Sequence, residues 1–347
     1  MAICVVMAPR MNRRKALGTI GSIGTVALAG CTGPLGGGGG GRTSLTMMTS
    51  TEDTAAYQMS QGLAAVVNEN SDNVQISARP GDGAKQSMRL LDQEEADIAY
   101  TDTLNATRIA NDEGDYSENS FSSNINQVFH YYDILGGLAT QGDSDIETVN
   151  DLAGAAISPN PVGTAMRDVM LAHLSHSEVS EDDMDLLALG YGEEASALSE
   201  GRADVVSDIR INASLTPSYV QEQYSINEDA RLVHWPDSVT SAIEEDPNIT
   251  GAHYPAEDIE GPDYGDRTEE WWTETVYVTF VRESMDEEVL SEVLNIMWDN
   301  VDSLTEYHSM AGAWSDASFL ASKLHPNIPL HPSAESFFEE IGANTGQ

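Results

Sequence analysis

Cysteine is almost absent from this chain: its 347 residues include two, Cys4 and Cys31. If the segment before Cys31 is removed, no thiol remains for a disulfide, a nucleophile or a sulfur-ligated metal. Cations are scarce as well, with Lys plus Arg totalling 16 against 57 Asp plus Glu. Residues 1–30 hold four of the basic residues and no acidic one, which leaves 12 against 57, a net of −45. A surface this acidic repels nucleic acid and anionic headgroups. The carboxylates are scattered through apolar, periodic sequence, so they read as a solvated surface suited to high salt, where repulsion is screened within a few ångströms. No D-x-D-x-D-G loop with a distal Glu is present, which argues against an EF-hand. Gly-x-Ser-x-Gly, His-Glu-x-x-His and P-loop patterns are missing too. No catalytic residue, metal site or cofactor is therefore assigned. An extracellular hydrolase is a poor fit, and binding without chemistry is the leading expectation.

What is present begins with an address. Residues 11–31 read MNRRKALGTIGSIGTVALAGC, a charged segment with twin arginines Arg13 and Arg14 followed by a small-residue apolar stretch. From Ala16 to Ala29 it is too short for a bilayer core of ~30 Å, which needs roughly 20 residues. It fits the apolar region of an export signal. Leu28-Ala29-Gly30-Cys31 resembles a lipobox, with Cys31 as the lipidated first mature residue; the alternative is a plain signal peptide with a chance cysteine. Met11 stands directly before the twin-arginine segment, so residues 1–10 lie upstream of a second possible start. Gly36 to Gly41 is an unbroken glycine run that suits a flexible tether. The expected organisation is a signal at 1–31, a tether at 32–43, and a body on the outer face of the membrane, lipid-anchored at Cys31.

From Ser44 onward short apolar runs alternate with helical periods. Strands are predicted at 45–48, 74–78, 97–101, 127–139, 155–158, 185–188, 203–207 and 276–282. Helices are predicted at 54–69, 84–92, 104–112, 163–176, 192–200 and 286–304. Alternating β and α units argue for parallel sheets covered by helices on both faces. The run at 127–139 and the late strand at 276–282 suggest two lobes joined by crossing strands. The expected fold is α/β and two-lobed, of the periplasmic-binding-protein type II kind, with the ligand cleft between lobes. One lobe takes 44–133 plus 275–347, the other 134–274. In such sheets ligands sit beyond the carboxyl ends of strands, near helix N-termini.

Five stretches in order extend the reading. They are Thr49 to Tyr57; Gly83-Ala84 with Arg89-Leu90-Leu91 and Glu95 to Tyr100; Leu152-Ala153-Gly154 with Val162-Gly163-Thr164; Leu189-Gly190-Tyr191 with Gly201 to Asp204; and Ile328 to Ala334 followed by Phe337-Phe338. Together they resemble the TAXI family of receptors for TRAP (tripartite ATP-independent periplasmic) transporters, across residues 45–342. Departures include Glu52 and Asp53 in a loop that is glycine-rich in the family, Asp102 where glutamine is usual, and Ala165 for an acidic residue. The resemblance implies a receptor that hands its ligand to a TRAP membrane permease, and it places Ser50, Thr51 and Tyr57 at the ligand. A sensor input for a signalling partner is the alternative use of the same fold.

Two loops suit an anion. Gly81 to Ala84 and Pro161 to Thr164 precede helices whose first N–H groups lack internal partners, so Gly83, Ala84, Gly163 and Thr164 are candidate contacts; ordinary turns are the other reading. Arg167 and Arg210 lie near the expected cleft and would recognise a carboxylate through a bidentate fork, or pair with the surrounding acids. Thr101, Asp102 and Thr103 end a strand. Their hydroxyls suit ligand oxygens, while Asp102 suits either an ammonium or a helix cap. The expected ligand is a small carboxylate such as glutamate or 2-oxoglutarate. His173 and His176 have metal-like spacing without a third ligand.

Overall fold

Short apolar strands feeding capped helices build the first half of the molecule. The computed structural model describes residues 41–50, 52, 54–259 and 264–346. The proposed signal, the lipobox Cys31 and Thr51 lie outside these. Strand β1 (Thr43–Met48), β2 (Val74–Arg79) and β3 (Ile98–Asp102) are parallel, with β1 between the other two. Between them run α1 (Ala55–Asn70) and α2 (Ala84–Asp92), and α3 (Thr103–Asn111) follows. Each helix starts at a residue suited to the position. Thr54 and Asp102 accept hydrogen bonds from N–H groups of the first turn. Gly83 takes φ 110°, a conformation that excludes ordinary side chains.

The second half repeats the pattern with β5 (Ala156–Ser158), β6 (Asp185–Leu186) and β7 (Val205–Ile211), again parallel, with β5 central. Its helices are α4 (Ala165–Leu174), α5 (Tyr191–Ser199), α6 (Ser218–Ile226) and α7 (Asp237–Glu244). Two long strands, β4 (Ile125–Thr140) and β10 (Glu269–Arg282), join the halves into one mixed sheet of order β2-β1-β3-β10-β4-β7-β5-β6. They run antiparallel to each other, Arg282 facing Ile125 at one end and Thr273 facing Gly136 at the other. Contact there is so close that a Cβ on Gly136 would sit 2.5 Å from Thr273 Oγ1. Short β8 (Arg231–Leu232) and β9 (Thr250–Pro255) pair with β4 and β10.

The parallel strands expected in each half are present, and the crossing and return strands β4 and β10 run antiparallel to each other, which makes the joined sheet mixed. The return strand also starts earlier than Val276, at Glu269. The expected helix 286–304 is two, α8 (Glu287–Asp299) and α9 (Val301–Thr305), broken at Asn300, whose ψ of 29° leaves the helical region. α10 (Ala317–Leu320) and α11 (Pro332–Glu340) complete the chain. The Pro-Leu-His-Pro segment lies along β4: Gln127 N–H donates to Pro329 O and His331 N–H to Gln127 O, both at 3.0 Å.

Apolar burial follows the same division. One large core draws on α1, β1–β3, α8, α9 and α11, and another on β5, α4, α7 and Trp235. Lys323 fastens the junction, its Nζ 2.6 Å from Asp133 on β4 and 3.1 Å from Glu274 on β10.

Candidate functional site

The carboxyl ends of β1, β3, β5 and β7 all lead into polar residues. Helices α2, after β2, and α4, after β5, approach each other through their first turns, where Lys85 Nζ lies 2.7 Å from Asp168 Oδ2. Ala84 at the start of α2 and Ala165 at the start of α4 also both pack against the first core.

On the first side, Thr49 is fully buried and Ser50 half-buried. Ser87 Oγ donates to Thr49 O and Gly83 O, at 3.3 and 3.2 Å, which ties β1 to the entry of α2. Tyr57 is half-buried on the first turn of α1. Thr101 and Asp102 are buried, and Thr103 is partly so. Asp102 caps α3, accepting from Asn105 N–H at 2.9 Å, and Thr101 Oγ1 accepts from Asn105 Nδ2 at 2.8 Å. Burial pushes the Asp102 carboxyl above its ordinary value. Of the two roles open to Asp102, the structure displays the capping one.

On the second side, Gly163 has φ 86° and Thr164 caps α4, accepting from Arg167 N–H at 3.2 Å. Tyr191 begins α5 and stacks on Tyr219, ring centroids 4.7 Å apart. Facing them is an aromatic floor in which Tyr132 of β4 stacks on Tyr277 of β10 at 4.7 Å, with Tyr100 beside it.

Both candidate arginines are occupied within the second half. Arg167 is buried and donates through Nη1 to Asn160 O at 2.8 Å and Leu187 O at 3.0 Å. Arg210 is 1% exposed and pairs with buried Asp208, while its guanidinium lies 5.6 Å from the Trp272 ring. Tyr224 donates to the same Asp208 at 2.6 Å. A cation-poor chain therefore uses these two guanidiniums to satisfy buried carbonyls and a buried acid. Arg89 lies over Tyr116 at 5.4 Å, a packing contact. His173 bonds the carbonyls of Val169 and Thr250, and His176 meets Asp246 at 3.3 Å.

Sequence reasoning missed two features. Asn160, two residues after the end of β5, is fully buried at φ 77°, and neither its Oδ1 nor its Nδ2 has a partner. A buried, unpaired amide costs about 1–3 kcal/mol for each group left unsatisfied, a cost that a ligand's hydrogen bonds would offset. Glu194 on α5 is 1% exposed and accepts from Ser158 Oγ of β5 and Ser207 Oγ of β7, each at 2.6 Å. Burial raises this carboxyl to about 7. Neither residue belongs to a recognisable motif, and only the pairing of β5 with β7 brings Glu194's two serines together. Cavities of about 400 and 200 Å³ are also present among the described residues. The first lies between Asn212–Leu215 and Ser309–Phe319, and of the expected ligand residues only Thr103 lines either, in the second.

Two α/β halves bridged by a pair of long antiparallel strands, with strand ends and helix starts facing across the bridge, define a two-lobed binding-protein fold. The chain belongs to the NMT1-like family, whose model matches residues 47–342. None of the curated sequences is detectably similar to it. Among solved structures it is similar to the periplasmic aliphatic sulphonate-binding protein of Escherichia coli, at 12% identity over 85% of this chain and 78% of that one, TM-score 0.47. It is also similar to the alkanesulfonate-binding protein of Xanthomonas axonopodis bound to MOPS, at 13% identity, 85% and 83% coverage and TM-score 0.42. A third is the ligand-binding component of an ABC-type import system from Staphylococcus aureus with zinc bound, at 11%, 86% and 91%, TM-score 0.44.

Proposed function

We propose that the protein is a solute-binding receptor that captures a small carboxylate outside the cell and delivers it to a membrane permease of the TRAP type. It performs no catalysis of its own. The observation that carries this reading is the meeting of helix starts from both halves, α2 and α4 joined through Lys85 and Asp168, with Asn160, five residues before α4, holding a buried, unpartnered amide. A ligand there would join residues 44–133 plus 275–347 to residues 134–274 and stabilise the shut arrangement. Its oxygens would meet backbone donors at Gly83-Ala84 and Gly163-Thr164 and the hydroxyls of Ser50, Thr101 and Thr103. Helix N-termini favour anions without needing a side-chain cation, which matters where Arg167 and Arg210 are otherwise engaged. The ordered resemblance of five sequence stretches to TAXI receptors supports the TRAP partner, and Leu28 to Cys31 supports a lipid anchor.

Calorimetry with glutamate and 2-oxoglutarate in molar salt tests the ligand, and small-angle scattering tests the closure. Binding accompanied by compaction, with the ligand recovered unchanged, is the expected result. Chemical turnover of either compound would overturn the reading. Small molecules released by denaturing the purified protein should include a carboxylate. For the anchor, Cys31→Ser should release the body into the medium, and continued membrane association would count against it.

A further inference from the structure

Only 12 cations follow residue 30, among 57 acids, yet two of them converge on a single carboxylate oxygen. Lys85, in the first turn of α2, places Nζ 2.7 Å from Asp168 Oδ2. Arg108, on α3, places Nη1 3.3 Å from the same oxygen. Both cations belong to the first half and Asp168 to the first turn of α4 in the second. Asp115 approaches Lys85 at 3.5 Å, and Asp102 lies within electrostatic reach of Arg108 and Asp168. Composition alone would give each cation several acids to choose from, so two cations on one oxygen reverses the trend of the chain.

Stability does not explain this arrangement well. The three side chains are about a third exposed, where ion pairs contribute little. Asp168 is also already favoured by the positive end of its own helix. Lys85 stands at the start of α2, which begins at Gly83 with no side-chain cap. Two cations, one of them carried in the first turn of an uncapped helix, therefore meet on one carboxylate where the two halves touch.

We propose that Lys85 and Arg108 form an anion subsite of the cleft, and that the Asp168 carboxylate fills it until a ligand carboxylate displaces it. This rests on the receptor reading above and adds the cations that Arg167 and Arg210 do not supply. The exchange conserves charge at the subsite. A displaced Asp168 turns to water while remaining in the favourable first turn of α4.

The sign of one substitution tests the idea. Asp168→Asn keeps the shape and removes the competing charge, so glutamate or 2-oxoglutarate should bind about twofold to fivefold more tightly by calorimetry. Lys85→Met and Arg108→Met should each weaken binding about tenfold or more, and Lys85→Arg and Arg108→Lys should retain most of it. Melting temperatures show whether each variant folds, and Arg89→Ala serves as the neutral control. Weaker binding by Asp168→Asn would overturn the proposal, since the trio would then be a clasp between halves. Wild-type affinity in both methionine variants would overturn it equally. In either case ligand binding by the wild type leaves the receptor reading standing, whereas silence of every variant and the wild type toward both compounds removes the carboxylate reading along with the subsite.

Discussion

Buried charge at single residues sets the sharpest expectations. Arg210 is the partner of Asp208, and both are almost fully buried. Removing one member of a buried pair strands the other charge, which costs roughly 3–5 kcal/mol. Arg210→Ala should therefore lower the denaturation midpoint strongly, in urea at molar salt, whatever it does to ligand binding. An unchanged midpoint would show that Tyr224 alone satisfies Asp208. Glu194 gives a pH signature. Its folded value of about 7 lies above the ordinary 4.5, so the folded state holds the proton more tightly than the unfolded one. The contribution of Glu194 to stability is then greatest below about pH 4.5, falls as pH rises toward 7, and levels off above it. At 1.36 kcal/mol per pKa unit the fall amounts to roughly 3 kcal/mol. Glu194→Gln should flatten that part of the profile, which chemical denaturation between pH 5 and 8 would register.

Elements show where local signals suffice. Helix α2 occupies Ala84–Asp92, the span predicted from its glycine turn and apolar spacing. α3 starts where Asp102 can cap it, and Asp102→Ala should cost about 1 kcal/mol through loss of the cap. Asp102→Asn should cost much less, because an amide oxygen caps nearly as well. A midpoint unmoved by Asp102→Ala would place that residue's importance elsewhere. The α8–α9 region is less legible. Its apolar period runs on through Asn300, and the chain breaks there as Asn300 Nδ2 donates to Ile296 O at 2.8 Å. Competition between an asparagine side chain and the backbone is invisible to periodicity. The segment from Ser218 to Pro255, with α6, α7, β8 and β9, gives still weaker signals, since its strands are two and six residues long and pair only through the crossing strands.

Across the whole molecule, self-repulsion is the dominant liability. A net charge of −45 on the chain after residue 30 opposes compaction unless counter-ions screen it. Circular dichroism should show loss of structure on dialysis from molar to millimolar salt, and recovery on return. A fold that persists unchanged in low salt would show that the ion pairs and apolar cores suffice without screening. The junction around Lys323, Asp133 and Glu274 should be less affected than exposed pairs, because buried charges are screened less.

The sequence by itself determined the alternation of strands and helices, the crossing run at 127–139, the two glycine-led helix starts and the acidic surface. Each of these is local, written in the spacing of neighbours or in bulk composition. The tertiary structure decided which strands pair, and with that the antiparallel bridge and the mixed sheet. It also decided the work of the cations. Sequence placed Arg167 and Arg210 near a cleft, and distance along the chain says nothing of what a long side chain meets. Folding spends Arg167 on the carbonyls of Asn160 and Leu187 and Arg210 on Asp208, and it brings Lys85 and Arg108 to Asp168 from 83 and 60 residues away. Electrostatic contacts fall off over a few ångströms, so only the folded chain settles which charge answers which.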